Sequence, residues 1–555
     1  MNTMSGATAI SIRRWITRDR MFGIVFALVL FTGIFLRTYH FHEWLQFRDD
    51  QNRDAVRVDR VISGQTSWPL LGPFLSHTAA SEDESFHVGP IYYYFQIVSA
   101  KIFGSYPDRL AYPDVFFSIL SLPLFFLFLR MYFDRNLSLG LTALYAVSAY
   151  LISYSRFAWS SNPIPFFVLL FLYALLRFPE SRDGKAPWSW AIALGAAWGV
   201  GFQLHAITMI LFSGIVSVVF LRSMRSDRTT WRRWTVVFLV FLLFNAGQIV
   251  NEAKTNFGNT KAFFGFFTQD NANRNNASGN ILTKLKNDVS CHIEANFLYM
   301  SSYRSSFGLS NCSRDYSKIL SGDVSGIHTK RLKDKIDILL LLFGFLFSVG
   351  GYVFLWYDDR RERVEGKKRF LHLLALYSGF GFLVMLPLSD GSISDLRYFS
   401  FLFFIPYVFL GFYVKFAKEK CGRRYVVIPI ITVFSLLVFS DFSVISTKAA
   451  MLSANNGTCS GTTTLGEMES VAGYLVSRSD GRTGYVAKDR GLSSALNSLI
   501  YLADKQGMRV ERTGDTYDDV PDGAPVFFMS CGKSADMRDA YNYSRSGELY
   551  VYQIR

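Results

Sequence analysis

Residues Met21–Arg37 read MFGIVFALVLFTGIFLR, and shortly after them comes Arg48-Asp49-Asp50-Gln51-Asn52-Arg53-Asp54. The first run has the composition of a membrane span; a bilayer core of about 30 Å takes roughly 20 such residues. The second run crowds carboxylates and guanidiniums together at the point where the chain leaves the span. Charge at a bilayer edge is costly, so a cluster there marks a candidate functional site. A solvated flank of the membrane is the competing reading of the same charges.

Working outward, half of the 555 residues are hydrophobic and 53 are Phe, too many for an aqueous domain with so few charges. Further apolar segments recur near 110–131, 137–155, 163–177, 188–204, 206–221, 234–250, 336–356, 370–388, 397–414 and 425–441. Together they predict a polytopic α-helical membrane protein of about eleven spans. The net charge of +14 does not point to nucleic acid, because the basic residues sit in short loops between spans. Arg13, Arg14, Arg18 and Arg20 precede the first span; Arg222, Arg228, Arg232 and Arg233, then Arg360 to Arg369, then Lys415 to Arg424, mark later inner loops. Alternating spans put all of these on one side, which the positive-inside rule makes cytoplasmic. The first span lacks a cleavage signal and is expected to stay as an anchor.

The expected organisation is a cytoplasmic tail (1–20), a membrane domain (21–441) and a small α/β domain outside the membrane (442–555). Within the membrane domain lie an outer loop, 38–109, and a long polar outer segment, 251–333. Ala55, Val58, Val61 and Ile62 recur at helical spacing opposite Arg57, Asp59 and Arg60, and Tyr92 to Phe103 is rich in aromatics. Both predict amphipathic helices lying on the membrane surface. In the last domain Gly484–Ala487, Val526–Met529 and Leu549–Tyr552 read as strands and Ser493–Lys505 as a helix. Cys291 and Cys312 fall in the long outer segment, Cys459 and Cys531 in the last domain, and Cys421 in an inner loop. An oxidising outer compartment then predicts the pairs 291–312 and 459–531.

Candidate chemistry collects on the outer side: Asp49, Asp50, Arg53, His87, Tyr93, Arg156, Trp159, Gln203, His205, Glu252, Asp395, Arg397 and Tyr398. Carboxylates with scattered cations suit a lipid-linked phosphate. A phosphate leaving group needs positive charge rather than a proton, and an attacking hydroxyl needs one base. No Cys/His cluster has zinc spacing; a divalent metal is compatible with such a site but nothing in the sequence asks for one.

Five stretches taken in order resemble a known family: Asp50-Gln51-Asn52-Arg53-Asp54, Pro69-Leu70-Leu71-Gly72-Pro73, His87-Val88-Gly89-Pro90-Ile91-Tyr92-Tyr93-Tyr94, Arg156-Phe157-Ala158-Trp159-Ser160-Ser161-Asn162-Pro163 and Gln203-Leu204-His205. The chain is similar in these to bacterial membrane glycosyltransferases of the C-type superfamily, which includes protein O-mannosyltransferases and the aminoarabinose transferase of lipid A. The motifs cover about residues 20–255 and the topology extends to 441. The resemblance implies a catalytic base in the first outer loop, at Asp50, with Gln51 in place of the usual Glu and Asp49 as an extra acid. The family's Lys-Pro-Pro-like, donor-phosphate segment falls at His87-Val88-Gly89-Pro90. Its Lys is absent, which leaves Arg156 or Arg397 to supply the charge, and Asp395-Leu396-Arg397-Tyr398 resembles the family's Arg-Tyr before a late span.

The expected function is therefore an inverting glycosyltransferase of the bacterial cytoplasmic membrane. It would move a sugar from a polyprenyl-phosphate donor to a glycan, lipid or protein hydroxyl on the non-cytoplasmic face. A flippase would place its charges deep inside broken spans, an oligosaccharide ligase is a closer rival, and a purely structural protein leaves the carboxylates unexplained.

Overall fold

The computed structural model describes residues 6–74, 85–179, 188–223, 228–268, 281–302, 332–386, 396–454, 463–489, 492–514, 519–533 and 542–555. The helices in chain order are α1 (Gly6–Thr38), α2 (Asp49–Ile62), α3 (Ile91–Phe103), α4 (Pro107–Leu110), α5 (Tyr112–Leu129), α6 (Arg135–Val147), α7 (Ala149–Tyr154) and α8 (Ile164–Arg177). Then come α9 (Ser189–Leu204), α10 (Ala206–Ser223), α11 (Arg228–Phe244), α12 (Ala246–Lys254), α13 (Gly258–Thr268) and α14 (Ile281–Ser301). The last six are α15 (Leu332–Arg361), α16 (Glu365–Met385), α17 (Ile405–Cys421), α18 (Arg423–Ser453), α19 (Leu465–Arg478) and α20 (Ser493–Lys505).

Every expected span coincides with helix, but fewer meet a strict test of length and apolarity. Among the described residues five helices do, Asp19–Thr38, Tyr112–Leu129, Ala206–Ser223, Tyr398–Cys421 and Arg424–Ser453. A sixth follows if Thr230–Phe244 and Ala246–Lys254, bent by 63°, form one span. This is an integral membrane protein, and the full expected count of eleven is not reached by that measure. α18 also runs on to Ser453, past the expected domain boundary at 441.

The segment 251–333 is not simply an outer loop. α14 lies within it and buries Cys291, Ala295, Tyr299 and Met300 in the main apolar core, beside α15 and α17. Its buried face also carries Asp288, His292 and Asn296. The His292 imidazole lies 3.2 Å from the Asp288 carboxylate one turn away. Those polar residues at i, i+4 and i+8 interrupt the apolar pattern from which a buried helix is read. The thiols follow from the same packing: Cys291 is buried and free, and Cys531 is exposed and free. The partners expected for them, Cys312 and Cys459, lie outside the described residues, and neither disulfide is seen.

The C-terminal unit has a five-stranded sheet in the order β2-β1-β3-β5-β4, with β1 (Gly484–Lys488), β2 (Val510–Arg512), β3 (Val526–Cys531), β4 (Tyr543–Ser546) and β5 (Leu549–Gln553). β1 pairs in parallel with β2 and β3, and the crossover from β1 to β2 is α20, as parallel neighbours require. β5 runs antiparallel to β3 and β4.

α2 and α3 exist where expected, but α2 does not offer its apolar face to lipid. Ala55, Val58 and Val61 share one buried cluster with Ile97 and Ala100 of α3 and with Leu465, Met468, Leu475, Leu496 and Leu499 of the C-terminal unit. A short backbone pairing reinforces it. The Leu465 N–H donates to the Leu45 carbonyl at 2.7 Å, and Gln46 bridges Thr464. Thr464 in turn closes a capping box with Glu467 at the start of α19, which satisfies two otherwise orphaned amides. Lys505 of α20 meets Asp59 of α2 at 2.9 Å. The outer loop and the C-terminal unit thus form one folding unit. Val58→Asp buries an unpaired charge in that shared core, so it is expected to expose the C-terminal unit to limited proteolysis and lower the unfolding temperature. Unchanged protection would show that the unit is held by other contacts.

Candidate active site

α2 begins at Asp49 because Gln51 reaches back to cap it: its Oε1 accepts the Arg48 N–H at 3.2 Å. Gln51 thereby serves the helix start. Asp49 and Asp50 fall in the first turn, where the free amides and helix dipole favour negative charge. Asp49 is exposed and the Asp50 side chain is 46 % exposed.

Arg53, one turn on, forks between two carboxylates. Its Nη1 donates to Asp50 Oδ1 at 2.9 Å, while Nε and Nη2 donate to Asp54 Oδ1 at 3.0 and 2.9 Å. Asp54 is 1 % exposed, and the Tyr93 hydroxyl of α3 donates to the same Oδ1 at 3.0 Å. Burial pushes the Asp54 carboxyl up to about 6 even with the guanidinium beside it. Burial also raises the Tyr93 phenol, with Asp54 adding to the effect. The Tyr93 ring is buried, so this residue supports α2 rather than offering a platform to a sugar.

The Arg53 guanidinium also lies over Phe74, 5.4 Å from the ring centroid, and Phe74 lies 5.9 Å from the His87 ring. His87 is fixed on three sides. Its Nδ1 lies 2.9 Å from the Gly72 carbonyl, its N–H donates to Asn259 Oδ1 at 2.8 Å, and Asn259 Nδ2 donates to its carbonyl at 2.9 Å. The ring therefore presents Nδ1–H to Gly72, which fixes the tautomer. The loops 69–73 and 87–90 cross at two glycines. Gly72 N–H donates to Val88 O at 2.8 Å and Val88 N–H to Pro73 O at 3.1 Å. A Cβ at Gly72 would strike the Gly89 carbonyl, and one at Gly89 would strike Gln203.

Gln203 is fully buried and structural. Its Oε1 accepts the Ile91 N–H at 3.3 Å, and its amide donates to the Gly199 and Phe244 carbonyls. It ties the His87 loop to the end of α9 and to the break between α11 and α12. That break stands at Asn245, whose Nδ2 donates to the Phe241 carbonyl at 2.8 Å. It turns α12 so that Glu252 meets α13: Oε1 accepts from the Thr260 hydroxyl at 3.0 Å, and Oε2 is buried with no hydrogen-bond partner among the described residues. Thr260 is next to Asn259, so Glu252 joins the His87 surroundings. His205, just past Gln203, has its ring 5.9 Å from Tyr398. Its Nδ1 accepts the Ile207 N–H at 3.2 Å.

Arg156 is used elsewhere. Its two terminal nitrogens donate to the Leu36, Arg37, Tyr39 and His40 carbonyls at 2.8–3.3 Å. It caps the C-terminal end of α1, whose last carbonyls have no helical donors. Burial lowers its guanidinium to about 10. Trp159 stacks near Phe157, with ring centroids 6.2 Å apart. Asp395 lies outside the described residues, and Arg397 and Tyr398 fall in a 3₁₀ turn, Leu396–Leu402. Among the described residues no group of three His, Cys, Asp or Glu is placed to hold a metal.

A relay of contacts thus runs from Asp50 through Arg53 and Phe74 to His87, and from His87 through Asn259 and its neighbour Thr260 to Glu252, while Arg156 is engaged at the end of α1. Sequence reading missed Asn259 and Asp54. Nothing in the sequence singles out Asn259. Asp54 could have been found from its spacing, because it precedes Val58 and Val61 by four and seven residues on the buried stripe of α2.

The sequence model of the dolichyl-phosphate-mannose-protein mannosyltransferase family matches residues 87–246, from the fixed histidine to the helix break. No curated protein matches the chain by sequence. Among solved structures, an oligosaccharyltransferase of Archaeoglobus fulgidus, in complex with Zn and sulfate, matches at a TM-score of 0.50 with 10 % identity, over 91 % of this chain and 67 % of that one. ArnT from Cupriavidus metallidurans in the apo state matches at 0.49 with 14 % identity over 99 % and 98 %. The same ArnT bound to undecaprenyl phosphate matches at 0.47 with 15 % identity over 97 % and 98 %. The resemblance to C-type membrane glycosyltransferases, first read from scattered motifs, is borne out, by sequence over residues 87–246 and by fold.

Arg156→Ala is expected to destabilise the outer end of α1 by about 2 kcal/mol, the scale of losing charged hydrogen bonds to carbonyls that are partly wet, and to leave donor KM near the parent value. Thermal unfolding in detergent beside donor titration checks this. A large rise in donor KM without loss of stability would return Arg156 to the site.

Proposed function

We propose that the chain is an inverting glycosyltransferase that takes a sugar from a polyprenyl-phosphate donor and works at the outer surface of the membrane. The observation that supports this reading is the Asp50–Arg53–Phe74–His87 row, in which Arg53 meets the half-exposed Asp50 carboxylate at 2.9 Å and lies over Phe74, the ring next to His87. Asp50 takes the proton of the acceptor hydroxyl as the oxygen attacks the anomeric carbon from the face opposite the phosphate. A single carboxylate within hydrogen-bond reach suffices for that step. The departing lipid phosphate gains charge as the glycosidic bond breaks. In this reading His87 and Arg397 stabilise it, and such groups act most strongly where charge develops. Glu252, with one unsatisfied oxygen, is positioned to accept from a sugar or acceptor hydroxyl. An oligosaccharide ligase would use the same base and leaving group and differ in what is transferred.

Lipid that copurifies with the chain, identified by mass spectrometry and supplied back as donor, tests the substrate class. With that donor, Asp50→Asn is expected to abolish turnover while leaving insertion and the unfolding temperature intact, and Asp49→Asn to cost far less. Near-normal turnover in Asp50→Asn would remove it as the base.

The orientation placing this site and the C-terminal unit outside rests on the basic inner loops. Two exposed native thiols read it out, Cys421 at the end of α17 and Cys531 in β3. An impermeant maleimide on intact cells is expected to label Cys531 and spare Cys421. The reverse pattern would invert the topology and overturn the mechanism.

A further inference from the structure

We infer that Asp54 is a positioning residue: buried against α3, it clamps the Arg53 fork so that the guanidinium holds the Asp50 carboxylate in one orientation. This rests on Asp50 being the base proposed above. The geometry is specific. Three donors, Nε and Nη2 of Arg53 and the Tyr93 hydroxyl, converge on one oxygen of Asp54, and the remaining arm of Arg53 reaches Asp50 at 2.9 Å. Two arms of the guanidinium are thus fixed on a side chain that is itself immobile. The third is left to orient a carboxylate that is half in water and otherwise free to turn.

Stability alone does not account for Asp54. A carboxylate at 1 % exposure among Ala55, Val58 and Tyr93 opposes the burial that folds α2. An apolar residue would fill the same stripe without the desolvation that a buried ion pair carries. The groups around it are few. Arg53 and Asp50 face it on α2, and Tyr93 and more weakly Tyr92 on α3. α20, packed on α2 as well, brings Lys505 to Asp59 instead.

The clamp makes turnover sensitive to protonation of Asp54. The folded Asp54 carboxyl titrates at about 6, above its ordinary value. As pH falls through 6 it becomes neutral, Arg53 is released, and kcat falls with KM little changed. The linked stability runs the other way: the fold takes up this proton, so Asp54 favours the folded state more on the acid side.

Asp54→Asn is the test, assayed with the lipid-linked sugar that supports turnover in the parent chain. The amide keeps the shape and an oxygen for the three donors, but it lacks the charge that holds the guanidinium in place. At pH 7 kcat is expected to fall roughly ten- to hundredfold, the scale of a misplaced catalytic group, with KM and unfolding temperature held. The acid limb near pH 6 is expected to disappear. Tyr93→Phe removes one donor that favours the ionised form, so it is expected to move that limb to higher pH. A limb that persists unchanged in Asp54→Asn, or a kcat loss that only tracks a lowered unfolding temperature, would overturn the inference. Asp50→Asn separates the two readings. Turnover surviving in it defeats the base, whereas turnover abolished in it but unmoved in Asp54→Asn defeats the clamp alone.

Discussion

The candidate site depends on how α2 is buried. Its first turn must stay wet enough to present Asp50, yet its other face is covered by α3 and by the C-terminal unit. A helix of 14 residues is marginal on its own in water. Its stability comes from Val58 and Val61 meeting leucines contributed from more than 400 positions further along the chain. This gives the C-terminal unit a purpose that its own residues do not suggest. It supplies part of the core that holds α2 in place. The Leu45–Leu465 backbone bond and the Lys505–Asp59 pair lie at the two ends of that contact and set its register.

Much of this was legible in the sequence, and the parts that were not share a cause. Long apolar runs declare helices because nothing else explains them, and three of the five described strands of the C-terminal unit declared themselves by short apolar runs, whereas the polar β2 and β4 did not. α14 stayed hidden because Asp288, His292 and Asn296 are buried on its inner face. Sequence reading takes polarity as exposure, which fails where one buried polar group partners another. The thiols were assigned by compartment, and Cys291 was lost when its segment proved to be core. Arg156 shows a related limit of sequence reading. A cation at the end of a span looks the same whether it meets a phosphate or a row of carbonyls, and only geometry separates the two.

The acidic cluster posed the opposite problem. Asp49, Asp50 and Asp54 look equivalent in a list of residues, yet on the helix they have three environments: exposed, half-exposed against Arg53, and buried. The helical period separates them, because Asp54 shares its stripe with Val58 and Val61 while Asp50 stands one turn earlier at the open end. Environment, rather than residue type, then gives the acids different work.

The break at Asn245 completes the site at a cost that the local sequence offsets. Bending a helix by 63° between residues 244 and 246 strips carbonyls of their usual partners. The Phe241 carbonyl keeps the Asn245 N–H and also takes the Asn245 side-chain amide, and the Gln203 amide answers the carbonyl at Phe244. Gln203 is thus shared between two irregular pieces of backbone, the broken helix and the glycine crossing that fixes His87. The two are therefore coupled. Whatever moves α12, and with it Glu252, also pulls on Ile91 at the start of α3, two residues before the Tyr93 that supports Asp54. One buried glutamine in this way joins the broken helix, the glycine crossing and the start of α3.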